Sequence, residues 1–197
     1  MTASVPTDEI YERYLRKAIG EINELQHELL AFADETHVPV LGSGHPLGDV
    51  FLLKHKPQQA EIAEGVAFFG RAGNALLKSL QRLGVDPMGV YGTNCFKFGT
   101  EDRAQAGPWL ARELHIVQPK LLVVMGEPAV AFLEGVQFPL ADPLDAGAMG
   151  TVQRFTPTID AIVTPDIDAC LDERDAKTAF WNAFKALGPW WAALPPY

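Results

Sequence analysis

Apolar residues along this chain alternate between the spacing of an amphipathic helix and the short continuous runs of a buried strand. Helical spacing covers residues 7–35, 71–83, 108–117, 128–133 and 172–187, and apolar runs occupy residues 49–53, 90–94, 120–126 and 159–164. Apolar runs separated by helices indicate parallel strands that are covered on both faces. The pattern predicts an α/β fold: a three-layer α/β/α sandwich around a four-stranded parallel sheet, with an extra N-terminal helix.

The N-terminal segment differs from the rest because it contains one long helix and no strand. Thr7 or Asp8 is a suitable N-terminal cap, and Gly20 weakens the helix locally. A Gly- and Pro-rich stretch at residues 37–48 follows and predicts a loop. We therefore expect residues 1–36 to form a helical extension that packs on an α/β domain of residues 37–197.

Composition narrows the class of protein. With 197 residues, of which 48% are hydrophobic and 21% charged, the chain fits one globular domain with a substantial core. No apolar run approaches the roughly 18 residues that span a bilayer, and the N-terminus lacks a basic region followed by an apolar one. We expect a cytoplasmic monomer without membrane contact. The net charge of -9 argues against broad non-specific affinity for nucleic acid. It is compatible with a small basic patch at the opening of the crevice on an otherwise acidic surface.

The carboxyl ends of the predicted strands carry the candidate chemistry. The loops that follow them are residues 53–57, 94–97, 126–127 and 164–166. Parallel topology brings such loops to one crevice, where open α/β sheets bind their ligands. Phe68 would offer a flat apolar surface there, and Asn94 would offer both a donor and an acceptor. The pair suits a planar molecule with an amide edge, such as a pyrimidine base.

Two longer runs carry a resemblance to a known family. They read GVAFFGRAGNALLKSLQRLGVDPMGVYGTNCFKF at residues 65–98 and ARELHIVQPKLLVVMGEPAVAFL at residues 111–133. They resemble the uracil-DNA glycosylase superfamily, most closely its iron–sulfur branch, over about residues 49–187. The resemblance implies an α/β/α sandwich that binds DNA, single-stranded or as damaged duplex. It also implies base-excision repair chemistry: flipping out a deaminated base and hydrolysing its N-glycosidic bond.

The resemblance also assigns roles to individual residues. Phe68 matches the base-stacking Phe of the family, and Asn94 matches the Asn that reads the uracil edge and rejects cytosine. The alternatives are a core aromatic for Phe68 and a strand-end turn residue for Asn94. Basic residues on or near the crevice loops are expected to contact DNA phosphates: Lys54, Lys56, Arg71, Lys97 and Arg103.

Both catalytic motifs depart from the family pattern. Where the family has Gly-Glu-x-Pro-Gly, residues 54–58 read KHKPQ, so His55 stands in place of the Glu. The final His-Pro-Ser reads Thr-Pro-Asp, so Thr164 stands in place of the His. A Thr hydroxyl is shorter than imidazole and carries no positive charge, whereas the reaction needs a donor for the departing base. We predict that uracil excision is weak or absent, with His55, Thr164 and Asn94 at the catalytic positions.

The chemistry at the altered positions has several open interpretations. The lysines beside His55 favour a neutral imidazole near pH 7, as a general base requires. A surface histidine that contacts phosphate fits the same sequence. Asp166 or Glu61 are further sources of the missing carboxylate.

The cysteines of the cluster-bearing branch are missing. Phe98 follows the strand-end Lys, and Leu110 or a neighbour lies in the next helix, where that branch has Cys. The two cysteines of the chain, Cys95 and Cys170, are isolated from each other. We expect no metal and no cofactor, with Trp109 and the N-terminal helix covering the region instead.

Three functions fit the sequence. The first is an active glycosylase of altered specificity, and the second is a catalytically idle relative that still binds DNA or a flipped base. The third is a non-catalytic nucleobase- or nucleotide-binding or interaction module that reuses the fold, which the net charge of -9 favours.

Overall fold

The computed structural model describes residues 6–34 and 37–195. The strands in this part of the chain are β1 (Ser43–Gly44), β2 (Val50–Lys54), β3 (Val90–Asn94), β4 (Leu121–Met125), β5 (Val152–Thr156) and β6 (Ile159–Thr164). The helices are α1 (Pro6–Ala31), α2 (Gln59–Glu64), α3 (Arg71–Leu83), α4 (Arg103–Val117), α5 (Glu127–Gly135), α6 (Arg174–Phe184) and α7 (Leu187–Ala192). A short 3-10 turn at Pro87–Gly89 leads into β3.

The strands form one mixed sheet in the order β1-β3-β2-β4-β6-β5. The inner strands β3, β2, β4 and β6 are parallel, which confirms the predicted parallel core. The edge strands β1 and β5 are antiparallel additions that the apolar pattern did not predict. β1 has two residues, and β5 is largely solvent-accessible, so neither has the continuous apolar run of a buried strand.

Helices cover both faces of the sheet, as the three-layer prediction requires. Phe51 and Leu53 face the layer of α1, α4 and α5, whereas Val50 and Leu52 face α3 and α6. This alternation follows from the period of two along a strand. Because the inner strands are buried on both faces, their side chains leave little room for polar groups except at the strand ends.

Helix α1 packs along α4 by one stripe of side chains. Ala18, Ile22, Leu25 and Leu29 are buried in this contact, and Arg112 of α4 pairs with Glu28 of α1. Ile10 and Tyr14 continue the same helical spacing toward the N-terminus but are exposed, so α1 is buried only along the part from Ala18 to Leu29. The helix ends at Ala31, and residues 32–34 are not helical, so the prediction of a helix to residue 35 is too long; residue 35 itself lies outside the described residues. The division of the chain at residue 36 stays a prediction.

Two helices that flank the strand ends differ from the prediction: α2 is not predicted by the sequence pattern, and α4 is longer than predicted. α2 has six residues and no apolar repeat, but the backbone N–H of Gln58 donates to Glu61 Oε2 at 2.7 Å and fixes its first turn. α4 was predicted to begin at Pro108, whereas it begins at Arg103, where Asp102 caps it through Gln105 N. No helix in the described parts of the chain combines the length and the apolar character needed to cross a membrane.

Candidate functional site

Four residues lie side by side at the carboxyl ends of the parallel strands. Lys54 of β2 is in register with Asn94 of β3 and Met125 of β4, and Met125 is in register with Thr164 of β6. Residues in register on neighbouring strands point to the same face. All four are fully buried, on the face that packs against α3 and α6. The predicted convergence of strand ends therefore produces a row of side chains with Asn94 at one end.

Phe68 reaches this row from the loop between α2 and α3. Its φ is 59°, a left-handed conformation that is unfavourable for a bulky residue. The conformation is held by its backbone N–H, which donates to Glu61 Oε1 at 2.5 Å. Its ring lies so close to Gly92 that a Cβ there would come within 2.8 Å of it. Gly92 and Asn94 are on the same face of β3, so the ring and the carboxamide share one side of the sheet, while the neighbouring Phe69 is 47% exposed.

Lys54 is the centre of a buried ion-pair network. Its Nζ lies 2.5 Å from Glu61 Oε2 and 2.6 Å from Asp168 Oδ2, and 5.6 Å from the centroid of the Phe68 ring. The side chain of Lys54 is 0% exposed, that of Glu61 1% and that of Asp168 11%. In this conformation the ammonium group of Lys54 is enclosed by carboxylates, which does not support the predicted contact with DNA phosphate; that contact stays a prediction.

Asn94 carries two unused hydrogen-bonding atoms. Its Nδ2 and Oδ1 are both buried and make no hydrogen bond to the described residues. Each unsatisfied buried polar group costs roughly 1–3 kcal/mol, so an unpaired carboxamide is rare in a protein interior. A ligand with a complementary donor and acceptor would remove this cost.

A second polar network lies on the opposite face of β3, and it contacts the backbone of Asn94. Lys97 Nζ lies 2.5 Å from Glu113 Oε2, donates to Thr93 Oγ1 at 2.5 Å and donates to the Asn94 carbonyl at 2.9 Å. Tyr91 donates to Glu113 at 2.9 Å, and burial followed by the Glu113 charge raises the pKa of Tyr91 well above its ordinary value. Lys97 is fully buried. Its ammonium group contacts the Asn94 backbone, which does not support the predicted contact of Lys97 with DNA phosphate; that contact stays a prediction.

His55 and Asp166 lie next to the row, at the crevice. Burial, followed by the positive charge of Lys56, lowers the pKa of His55, so the imidazole is neutral near pH 7 as its sequence context indicated. Its ring meets the edge of Phe96 at 5.2 Å between centroids. Burial raises the pKa of Asp166, whose Oδ1 accepts the Asp168 N–H at 2.9 Å. The neutral His55 can accept or donate one proton, and it brings no positive charge.

Thr164 has its hydroxyl engaged within its own loop. The Oγ1 donates to the Pro165 carbonyl at 3.0 Å, and the residue is fully buried. In this arrangement the hydroxyl proton is not directed at a bound base. A Thr hydroxyl also carries no positive charge, unlike a protonated imidazole.

The other three predicted phosphate contacts remain on the surface. Lys56 is exposed with its Nζ 5.1 Å from the Phe96 ring centroid. Arg103 is exposed, donates to the Ala131 carbonyl at 3.0 Å and lies over Phe132. Arg71 is 70% exposed and pairs with Asp172 at 2.6 Å. The predicted contacts of these three cations with DNA phosphate stay a prediction.

The structure adds Asp168 to the site, a residue that the sequence analysis did not select. It lies four positions after Thr164 in a loop without helical or strand pattern, so only the three-dimensional contact with Lys54 identifies it. A signal for the network was present in β2, where a lysine ends the otherwise apolar run VFLLK. A lysine in such a position is buried only when carboxylates pair with it.

The residues present do not fit an iron–sulfur cluster. Such a cluster needs four thiolates, and the chain has only Cys95 and Cys170, which are buried on opposite faces of the sheet. Burial raises the pKa of both thiols. At the positions compared with cluster ligands, Phe98 packs with Trp109 at 6.0 Å between ring centroids, and Phe32 of the loop after α1 meets Trp109 at 5.7 Å.

A parallel sheet lies between two helical layers, and an aromatic ring and an unpaired carboxamide lie at its strand ends; together they define an α/β protein with a buried polar site. Residues 41–187 match the sequence model of the family described as "Uracil DNA glycosylase superfamily", and the chain belongs to this family. It is similar to the type-4 uracil-DNA glycosylase of Sulfurisphaera tokodaii, with 29% identity over 103 residues, covering 48% of this chain and 47% of the relative. The type-4 uracil-DNA glycosylase of Archaeoglobus fulgidus is 28% identical over 102 residues, covering 48% and 51%. The matches span about half the length of these relatives.

Proposed function

We propose that this protein binds DNA and holds a flipped base between the ring of Phe68 and the carboxamide of Asn94, with uracil excision weak or absent. The observation that carries the proposal is the pair of unused hydrogen-bonding atoms on Asn94. They lie on the same face of β3 as the Gly92 surface that Phe68 packs against. An aromatic ring and one amide are the groups that read the face and the edge of an extruded base.

Membership of the family supports DNA as the partner and a role of the DNA-repair type. The two archaeal relatives are uracil-DNA glycosylases, and the deaminated base they act on is the first base to test here. Lys56, Arg71 and Arg103 are the exposed cations that would hold the phosphates on either side of the flipped nucleotide.

The altered motifs support weak excision. Uracil departs as an anion, so cleavage depends on a donor aimed at the developing oxyanion. Thr164 donates to Pro165 instead, and His55 is neutral near pH 7. Removing one such donor costs about 100- to 1,000-fold in rate in enzymes where it has been measured.

Entry of a base requires a local movement. Asn94, Lys54 and Thr164 are fully buried, and Asp168 closes the row from the loop after β6 through its contact with Lys54. Because Asn94 is fully buried, a base reaches it only after side chains around the row move. The cost of that movement lowers the affinity for any flipped base relative to a site that is already open.

Binding to single-stranded oligonucleotides tests the proposal. Fluorescence anisotropy should give tighter binding for a strand with one uracil than for the same strand with an abasic site at that position. Asn94→Ala and Phe68→Ala should remove this preference. The matched control variants are Asn74→Ala and Phe69→Ala, which change an exposed Asn and an exposed Phe.

Three other results of the binding and cleavage measurements would contradict parts of the proposal. Equal binding of both strands by the native protein, or a preference that survives Asn94→Ala, would contradict the base-reading role. Binding of free uracil without any binding of DNA would assign the site to a nucleobase-binding protein. Single-turnover formation of abasic sites at rates like those of the relatives would overturn the prediction of weak excision.

A further inference from the structure

We propose that the base site is a cation site, which the Lys54 ammonium group occupies in this structure, and that the flipped base it accepts carries a positive charge. This inference rests on the proposed function, because it names the class of base that the Phe68 and Asn94 site would hold. N3-methylated cytosine is the simplest example: it is planar, has the size of a pyrimidine and is cationic near neutral pH.

The position of the ammonium group is the first observation. Lys54 Nζ lies 5.6 Å from the centroid of the Phe68 ring, and Lys54 is in register with Asn94. Stacked aromatic rings have their centroids 4.5–7 Å apart, so the ammonium group lies in the shell that a base stacked on Phe68 would occupy. A cation over an aromatic ring is itself a favourable pair.

The charges around that position are the second observation. Glu61 and Asp168 together bring two negative charges to the one positive charge of Lys54, and all three side chains are buried or nearly so. The local balance is therefore one negative charge in a region of low dielectric. A base that displaces the ammonium group meets two carboxylates, which favour a cation and disfavour a neutral base with carbonyl edges.

The balance of hydrogen-bond donors and acceptors around the site is the third observation, and it also favours a cationic base. Asp168 Oδ2 accepts from Lys54 at 2.6 Å, and the neighbouring Asp166 contributes a further carboxylate that accepts the Asp168 N–H. The Thr164 hydroxyl is already engaged, which leaves the Asn94 Nδ2 as the unengaged side-chain donor of the row. Acceptors outnumber donors, so the site binds a base with an amino group more tightly than uracil, which presents two carbonyl oxygens and a single N–H donor.

The experiment compares single strands that differ in one base: 3-methylcytosine, cytosine or uracil. Anisotropy titrations of the native protein should give about tenfold or tighter binding for 3-methylcytosine than for uracil, the usual size of an effect from a charged hydrogen bond. Asp168→Asn should reduce this ratio strongly. Asp172→Asn is the matched control, since it neutralises an exposed Asp of the same loop region, and it should leave the ratio unchanged.

Lys54→Ala provides an independent arm, because it removes the group that occupies the site. It should raise the affinity for 3-methylcytosine more than the affinity for uracil, and a thermal melt of the variant shows whether it is folded. If Lys54→Ala does not fold, the test rests on Asp168→Asn, measured as the ratio of its affinities for 3-methylcytosine and uracil. This variant is expected to fold because the Asp168 side chain is partly exposed.

Equal or tighter binding of uracil by the native protein, or a ratio unaffected by Asp168→Asn, would overturn the cation site while leaving the proposed function standing. No binding to any of the strands, or binding that ignores both Asn94→Ala and Phe68→Ala, would overturn the proposed function itself.

Discussion

The Lys54 ammonium group and the Glu61 carboxylate form a buried ion pair, Nζ to Oε2 2.5 Å, that ties strand β2 to the backbone of Phe68. One oxygen of Glu61 binds Lys54, and the other accepts the N–H of Phe68 in its left-handed conformation. A change at Lys54 therefore alters the charge balance of the site and the position of its aromatic ring together.

Lys54→Met should destabilise the protein strongly. Methionine keeps most of the volume of the side chain but leaves two buried carboxylates without their cation, and breaking a buried pair in this way costs about 3–5 kcal/mol. Urea denaturation at pH 7 measures the loss. Lys78→Met, on the exposed face of α3, is the matched control and should change stability by no more than about 0.5 kcal/mol. Equal stability of the two variants would show that the Lys54 network contributes nothing to folding.

Asp166→Asn should stabilise the protein at pH 7 by an amount that shrinks toward acid pH. Burial raises the pKa of Asp166 above its ordinary value of 3.8, so the folded protein binds this proton more tightly than the unfolded chain does. The penalty for ionised Asp166 is fully present above the folded pKa. This loss of stability shrinks as the pH falls through the pKa of Asp166 in the folded protein. It disappears below the pKa of Asp166 in the unfolded chain, because the carboxyl group is then protonated in both states.

The measurement is the difference in unfolding free energy between native protein and Asp166→Asn at pH 7, 5 and 3. The difference should favour the variant most at pH 7. A difference that is the same at all three pH values would mean that the carboxyl group is not perturbed in the folded state.

The double variant His55→Glu, Thr164→His should excise uracil faster than the native protein. It restores a carboxylate and an imidazole at the positions where the family has them, and one oxyanion donor is worth about 100-fold in rate. Single-turnover assays on uracil-containing single and double strands, with alkaline cleavage of abasic sites, give the rates. A native protein as fast as the double variant would mean that other residues supply both functions.

Binding to single-stranded DNA should weaken as salt rises, with a slope of log K against log salt of about -2. The estimate follows from about 0.7 per phosphate contact and the three exposed cations Lys56, Arg71 and Arg103. Arg103→Ala should make the slope shallower by about 0.7. Arg154→Ala, on the edge strand β5, is the matched control and should leave it unchanged. A slope near zero would exclude a phosphate interface.

The sequence was sufficient for the inner sheet because each parallel strand is a continuous apolar run, such as LLVVM in β4. The edge strands lack that run, and the six-residue α2 is stabilised by a local cap rather than by an apolar repeat. At the site, the sequence selected Asn94 and Phe68. It placed Lys54 on the surface, because a lysine at a strand end is ordinarily exposed.

The partner that buries Lys54 could not be read from local pattern. Asp168 is 114 residues away along the chain, and its role follows only from the crossing of the loop after β6 over the end of β2. The unpaired state of Asn94 is likewise a property of packing, since it depends on which polar groups the neighbouring strands bring near it.

The most direct test of the central claim is the side-chain amide signal of Asn94 in a nitrogen-15 NMR spectrum, assigned by its loss in Asn94→Ala. Titration with a short single strand that carries one flipped-base candidate, 3-methylcytosine or uracil, should shift this signal as Nδ2 and Oδ1 gain partners. The same strand with an abasic site in place of that base should leave it in place. A strand that binds, as shown by shifts near Lys56 and Arg103, while the Asn94 amide signal stays unchanged would contradict the claim that this carboxamide reads the base.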